Sequence, residues 1–190
     1  GNFFTLAEVL EKHSAAALRL LMLQTSYRSP LDFSWERLEG AENSLTRIAG
    51  TVENLRWAAD NASAIADEAA ADVFAAKAAA ARATFKECMD DDFNTAGALG
   101  AVFGFVTECN QYLEQAGDAA DKAAAVAAAD TLSELLDTLG IELPEPEVKL
   151  PLGLLGVAAG LVAYTGDDVD VAATKILEAR AEARAAKNWE

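Results

Sequence analysis

Apolar side chains recur along this chain at helical spacing, in runs parted by short polar breaks. Thr5-Leu6-Ala7-Glu8 reads as a capping box and opens a helix over residues 5–12. His13-Ser14 breaks it, and Ser14 can cap a second helix, about 14–25, with Leu18, Leu21, Met22 and Thr25 on one face. Pro30 forces Ser29 toward extended geometry, so residues 27–33 form a turn. Ser34 can cap a helix over 35–59 striped by Leu38, Leu45, Ile48, Val52 and Leu55. An alanine-rich helix follows over 64–89, marked by Ile65, Val73, Phe74 and Phe85. Asp92 and Thr95 are short acceptors before the next stripe and are expected to cap a helix over 96–116, with Phe93 buried beneath it. One further helix spans 119–139 and ends at Gly140, a favourable residue just past a helix. Residues 141–167 read as a linker or irregular apolar segment, and 168–190 as a last helix. The fold predicted is all-α: an antiparallel bundle of five to seven helices, its main body over 1–140.

Composition agrees with the pattern. Of 190 residues, 43 are alanine, the strongest helix former, and only 4 are proline. Charge adds something the pattern does not show. The net charge of −16 falls almost wholly on residues 61–170, which carry −15, whereas 1–60 carry −2 and 171–190 carry +1. An acidic middle repels phosphate, so the chain is a poor autonomous binder of nucleic acid. Any RNA contact must use the ends, where Arg19, Arg28, Arg180, Arg184 and Lys187 are the candidates. The last three recur at i, i+4 and i+7, on one helical face. The competing reading makes Arg19 and Arg28 partners of carboxylates or helix carbonyls, and makes the C-terminal face a solvated one balanced by Glu178 and Glu182.

Catalytic chemistry is harder to find. Cys88 and Cys109 have no metal-ligand spacing, and one histidine, His13, cannot complete a zinc site with them. They read as reduced thiols of a cytoplasmic protein. Asp90, Asp92 and Asn94 alternate like the start of a calcium loop, but Thr95 stands where its turn glycine belongs and Ala101 where its bidentate glutamate belongs. No phosphate-binding glycine loop and no nucleophile elbow occurs. The apolar stretch 150–164 holds Pro151 and is too short to span a bilayer; its glycines 153, 156 and 160 point to close packing. No catalytic group and no metal site is expected in the chain.

Five segments, in order, resemble the C-terminal half of bacterial cysteinyl-tRNA synthetases. Gly1-Asn2-Phe3-Phe4-Thr5 is similar to the segment directly after the KMSKS loop of those enzymes. Ala16-Ala17-Leu18-Arg19-Leu20 resembles their DALR signature, with Ala16 in place of the aspartate. Residues 27–34 resemble the YRSPLxFS turn, residues 89–95 the MDDDFNT motif, and residues 179–189 the AR-x-x-AR-x-x-KNW run. The resemblance implies a helical stem-contact domain lying along tRNA and bracing its own catalytic domain, with no membrane and no DNA partner. It further implies an ATP-dependent parent enzyme whose nucleotide and zinc ligands lie upstream, and an anticodon-binding end beyond residue 190. Two other readings remain open: the related ligase of mycothiol synthesis, and a helical interaction module with no enzymatic parent.

Overall fold

The computed structural model describes residues 5–62, 68–144 and 153–185, without the side chains of 68–70, 118 and 181–185. The described residues hold eight α-helices, one short 3-10 turn and no strand. The chain divides into two compact units, Gly1–Pro146 and Glu147–Glu190.

In the first unit, α1 (Leu6–Leu10) begins at the capping box: Glu8 N–H donates to Thr5 Oγ1 and Thr5 N–H donates to Glu8 Oε2. Then come α2 (Ala15–Leu23), α3 (Trp35–Asn61), α4 (Glu68–Asp90), α5 (Thr95–Ala116) and α6 (Lys122–Thr138). Ser14 and Ser34 accept from Ala17 N–H and Arg37 N–H, as N-caps of α2 and α3. Four residues join α4 to α5, and the two helices pack together as an antiparallel hairpin. α3 packs on α5 and α6, α4 reaches α6, and α2 lies against α3 and α5.

The core is a single cluster. Leu20 and Leu21 of α2, Leu38, Leu45, Ile48 and Leu55 of α3, Leu99, Val102 and Val106 of α5, and Leu132 and Leu136 of α6 are all almost fully buried. α4 supplies mainly alanine, so its larger anchors matter most. Phe74 stacks on Tyr112, with ring centroids 4.1 Å apart and planes 4° from parallel. Where polar groups enter the core they are satisfied: Thr51 donates to Arg47 O (3.0 Å), and its hydroxyl accepts from Asn110 Nδ2 (3.1 Å).

α6 closes with both bonds of a Schellman turn: Ile141 N–H donates to Leu136 O and Gly140 N–H to Asp137 O. Gly140 takes the left-handed conformation this requires (φ 64°).

The second unit pairs α7 (Gly153–Val162) with α8 (Val169–Ala185), burying Ala158 and Ala172. Asp168 Oδ1 accepts from the amides of Asp170 and Val171 at the start of α8. Two expectations change here. Residues 141–167 are not irregular throughout, because α7 lies within them, and it brings the helix count to eight. Among the described residues its Gly153, Gly156 and Gly160 show no close approach: a Cβ on any of them would meet no described atom within 4 Å. No described helix is long and apolar enough to cross a membrane.

Candidate functional site

Two of the motif segments of the first unit, residues 27–34 and 89–95, meet in space. The turn after α2 and the loop between α4 and α5 are joined through Asp92. Its carboxylate accepts from the Tyr27 hydroxyl (2.9 Å) and pairs with the Arg28 guanidinium (2.9 Å). Arg28 Nε donates in turn to the Tyr27 hydroxyl (2.9 Å), with the guanidinium 5.3 Å from that ring's centroid. Thr95 Oγ1 ties the start of α5 to the end of α2 just before that turn, donating to Leu23 O (2.8 Å), one of the last carbonyls of α2 left without a helical partner.

The loop reaches this arrangement by unusual backbone. Asp92 and Phe93 both lie at φ 53°, in the left-handed region. For residues that are not glycine such geometry costs on the order of 1–3 kcal/mol each. The result corrects the expected capping. The side chain that accepts at the start of α5 is Asn94, from Gly97 N–H (2.9 Å), and neither Asp92 nor Thr95 does so. The left-handed pair turns Asp92 toward the α2–α3 turn, and the helix starts one residue earlier than the stripe implied, which leaves Asn94 at the cap. Gly97 makes room for it: a Cβ there would stand 2.8 Å from Asn94 Nδ2 and 2.9 Å from Cys88 Sγ. Phe93, expected in the core, is 66% exposed for the same reason. Asp90, Asp92 and Asn94 turn to three different partners, Lys86, Arg28 and Gly97, so the calcium-like alternation gathers no ligand set.

The other expected site residues lie apart from this junction. Arg19 donates from Nη1 to Gly140 O, tying α2 to the end of α6. Arg180 is exposed on α8 of the second unit. Arg184 belongs to the same helix but its side chain is not described, and Lys187 lies outside the described residues. His13 is engaged structurally: Nδ1 lies 2.5 Å from Glu42 Oε2, and the ring stacks on Trp35. Burial pushes the Glu42 carboxyl up, but hydrogen bonds from His13 and the Ser14 amide outweigh it and leave the net shift downward. Cys109 is buried and its thiol is pushed up to about 12, chiefly by burial and then by Glu108. Such a thiol is inert. Among the described residues no three His, Cys, Asp or Glu side chains gather as a metal site.

Sequence reasoning missed the Tyr27–Arg28–Asp92 junction, since Asp92 lies more than 60 positions from its two partners. The signal for Asn94 was present, as Asn ranks with Asp and Ser at caps and immediately precedes the apolar run.

Comparison with known proteins places the chain. Residues 84–144 match the DALR domain family, which covers the end of α4 and all of α5 and α6, not the DALR-like run at 16–20. A cysteine–tRNA ligase of Geobacter metallireducens is 43% identical over 151 residues, 77% of this chain and 30% of the relative. That of Pseudomonas aeruginosa is 39% identical over 189 residues, 100% of this chain and 35% of the relative. That of Caldicellulosiruptor saccharolyticus is 35% identical over 191 residues, 36% of its length. Residues 84–144 thus match the DALR domain, within an all-helical fold. Over its whole length the chain is similar to cysteine–tRNA ligases. It spans about a third of the length of the curated relatives it matches.

Proposed function

We propose that this chain is the tRNA-contacting helical part of a cytoplasmic enzyme that joins cysteine to its tRNA at the expense of ATP. The observation that carries this reading is the end-to-end likeness to cysteine–tRNA ligases, 39% identity over 189 residues. The DALR match supports it independently. The likeness to these ligases assigns ATP and zinc to the catalytic portion of such an enzyme, outside the 190 residues of this chain.

The partners proposed are tRNA and that catalytic portion; neither DNA nor a membrane is among them. Arg180, Arg184 and Lys187 are the proposed phosphate contacts of the last helix, with Arg19 in the first unit; Arg28, the remaining candidate, is paired with Asp92 and is not proposed as one. Arg19 keeps further N–H donors beyond the one given to Gly140. Contacts of this kind position RNA without reading its sequence.

The test is aminoacylation by the full-length polypeptide with each of the amino acids. Charging with cysteine alone, and no cysteine-dependent pyrophosphate exchange by the 190-residue chain, is the expected result. Charging with another amino acid, or activity in the short chain, would overturn the assignment.

A further inference from the structure

Beside the Asp92 junction lies an open groove of about 550 Å³, bounded by Met22, Leu23, Tyr27, Leu31, Phe93 and Thr95. Its apolar members are displayed, not hidden: Met22 is 55% exposed, Tyr27 64% and Phe93 66%. Three polar side chains beside it are already engaged: the Tyr27 hydroxyl and Arg28 turn to Asp92, and Thr95 turns to Leu23 O. The hydroxyl residues Thr25, Ser26 and Ser29 also line it, but no cationic side chain does, and the exposed carboxylates of Asp90 at the end of α4 and of Asp91 and Asp92 on the adjoining loop would repel a phosphate. An apolar floor with an acidic rim fits a protein surface that carries apolar side chains flanked by basic ones.

The backbone fixes that display. Two consecutive left-handed residues, neither of them glycine, hold Phe93 outward, and the contacts of Asp92 and Thr95 that keep them there leave the ring 66% exposed. An aromatic ring held in water by its backbone is apolar surface open to burial by a partner.

We infer that this groove docks the catalytic portion of the same polypeptide, with Phe93 and Met22 as its anchors. The inference rests on the ligase reading above and on one fact of length: the relatives are about three times as long as this chain, so most of such a polypeptide lies beyond the residues described. Asp92, through Tyr27 and Arg28, then has a positioning role. It locks the α4–α5 loop to the turn after α2, so that both sides of the groove meet the partner in one geometry.

The experiment uses full-length enzyme and the 190-residue chain side by side, labelled with hydroxyl radicals and read by mass spectrometry. Without tRNA, Met22, Tyr27 and Phe93 are expected to be labelled at least fivefold more slowly in the full-length protein. Trp57, 63% exposed on α3, serves as the reference. In the full-length protein, Phe93→Ser is expected to lower cysteine-dependent pyrophosphate exchange at least tenfold, with Trp57→Ser at wild type. Because Phe93 is exposed in the chain alone, its replacement should leave the melting of the 190-residue chain unchanged. Equal labelling in the two proteins would overturn the inference, as would protection that appears only when tRNA is added, which would make the groove an RNA site. Wild-type Phe93→Ser exchange would also overturn it. Protection without tRNA in a full-length protein that fails to charge cysteine would uphold the docking surface and sink the ligase reading alone.

Discussion

At the residue scale, the junction shows how a single position can change its work with backbone geometry. Asp92 has the chemistry of a cap, yet its left-handed backbone sends the carboxylate to Arg28 and Tyr27. Arg28 and Asp92 are both largely exposed, so their pair contributes little stability, on the order of 0.2–1 kcal/mol. The cap belongs to Asn94, and Asn94→Ala is expected to destabilise the chain by about 0.5–2 kcal/mol in thermal or urea melts. An unchanged midpoint would show that the Asn94–Gly97 bond contributes nothing in solution. Glu42 gives a pH signature. Its carboxyl is held below its ordinary value of 4.5, so the folded state binds the proton more weakly than the unfolded chain does. That stabilisation is present above about pH 4.5 and is lost as pH falls through the lower folded value. Glu42→Gln should therefore lower stability at pH 7 by no more than about 1 kcal/mol, and its gap from wild type should close in acid. A gap independent of pH down to about 3 would assign the loss to packing.

At the scale of elements, the sequence pattern was accurate where one face of a helix is large and apolar, and less so where it is alanine. The stripes of α3 and α5 locate both helices and most of their core residues, because burying a leucine face outweighs any local alternative. Phe93 escaped the pattern. It is apolar and close to a stripe, but it sits in a loop whose path is set by contacts 64 and 65 positions away. α7 escaped for a different reason: it is apolar all round, with no polar face to give it a period. The four long helices share their burial, and Leu132 of α6 lies at 0% exposure among them. Leu132→Ala is expected to cost about 2–5 kcal/mol through reduced burial and the cavity left behind. A cost under about 1 kcal/mol, measured by denaturant unfolding, would mean that alanine-rich neighbours close the gap.

At the scale of the whole molecule, charge and function have to be reconciled. A polypeptide proposed to lie on tRNA carries −16, concentrated in its middle, so its phosphate contacts belong to the remaining parts. Replacing Arg180, Arg184 and Lys187 by glutamine in the full-length enzyme should weaken tRNA binding. The salt dependence of the apparent affinity should become shallower by about one unit of slope for each phosphate that no longer meets a cation. Aminoacylation measured across a salt series checks this. Wild-type affinity and slope in the triple variant would leave the C-terminal face solvated and move the RNA contact elsewhere.

The sequence by itself determined the all-helical class, the positions of the long helices, the caps at Thr5 and Ser34, the Gly140 stop and the family resemblance. Each of these depends on residues within a few positions of one another, or on periodicity, and local rules suffice. Tertiary structure alone decided that Arg19 serves a helix end, that Asn94 and not Asp92 caps α5, and that Phe93 faces outward beside Met22 and Tyr27. Those outcomes turn on which distant carbonyl or carboxylate a side chain meets, and no local pattern encodes that meeting. The backbone gives up its preferred angles at residues 92 and 93 because the fold, acting through Tyr27, Arg28 and Leu23 together, holds them there.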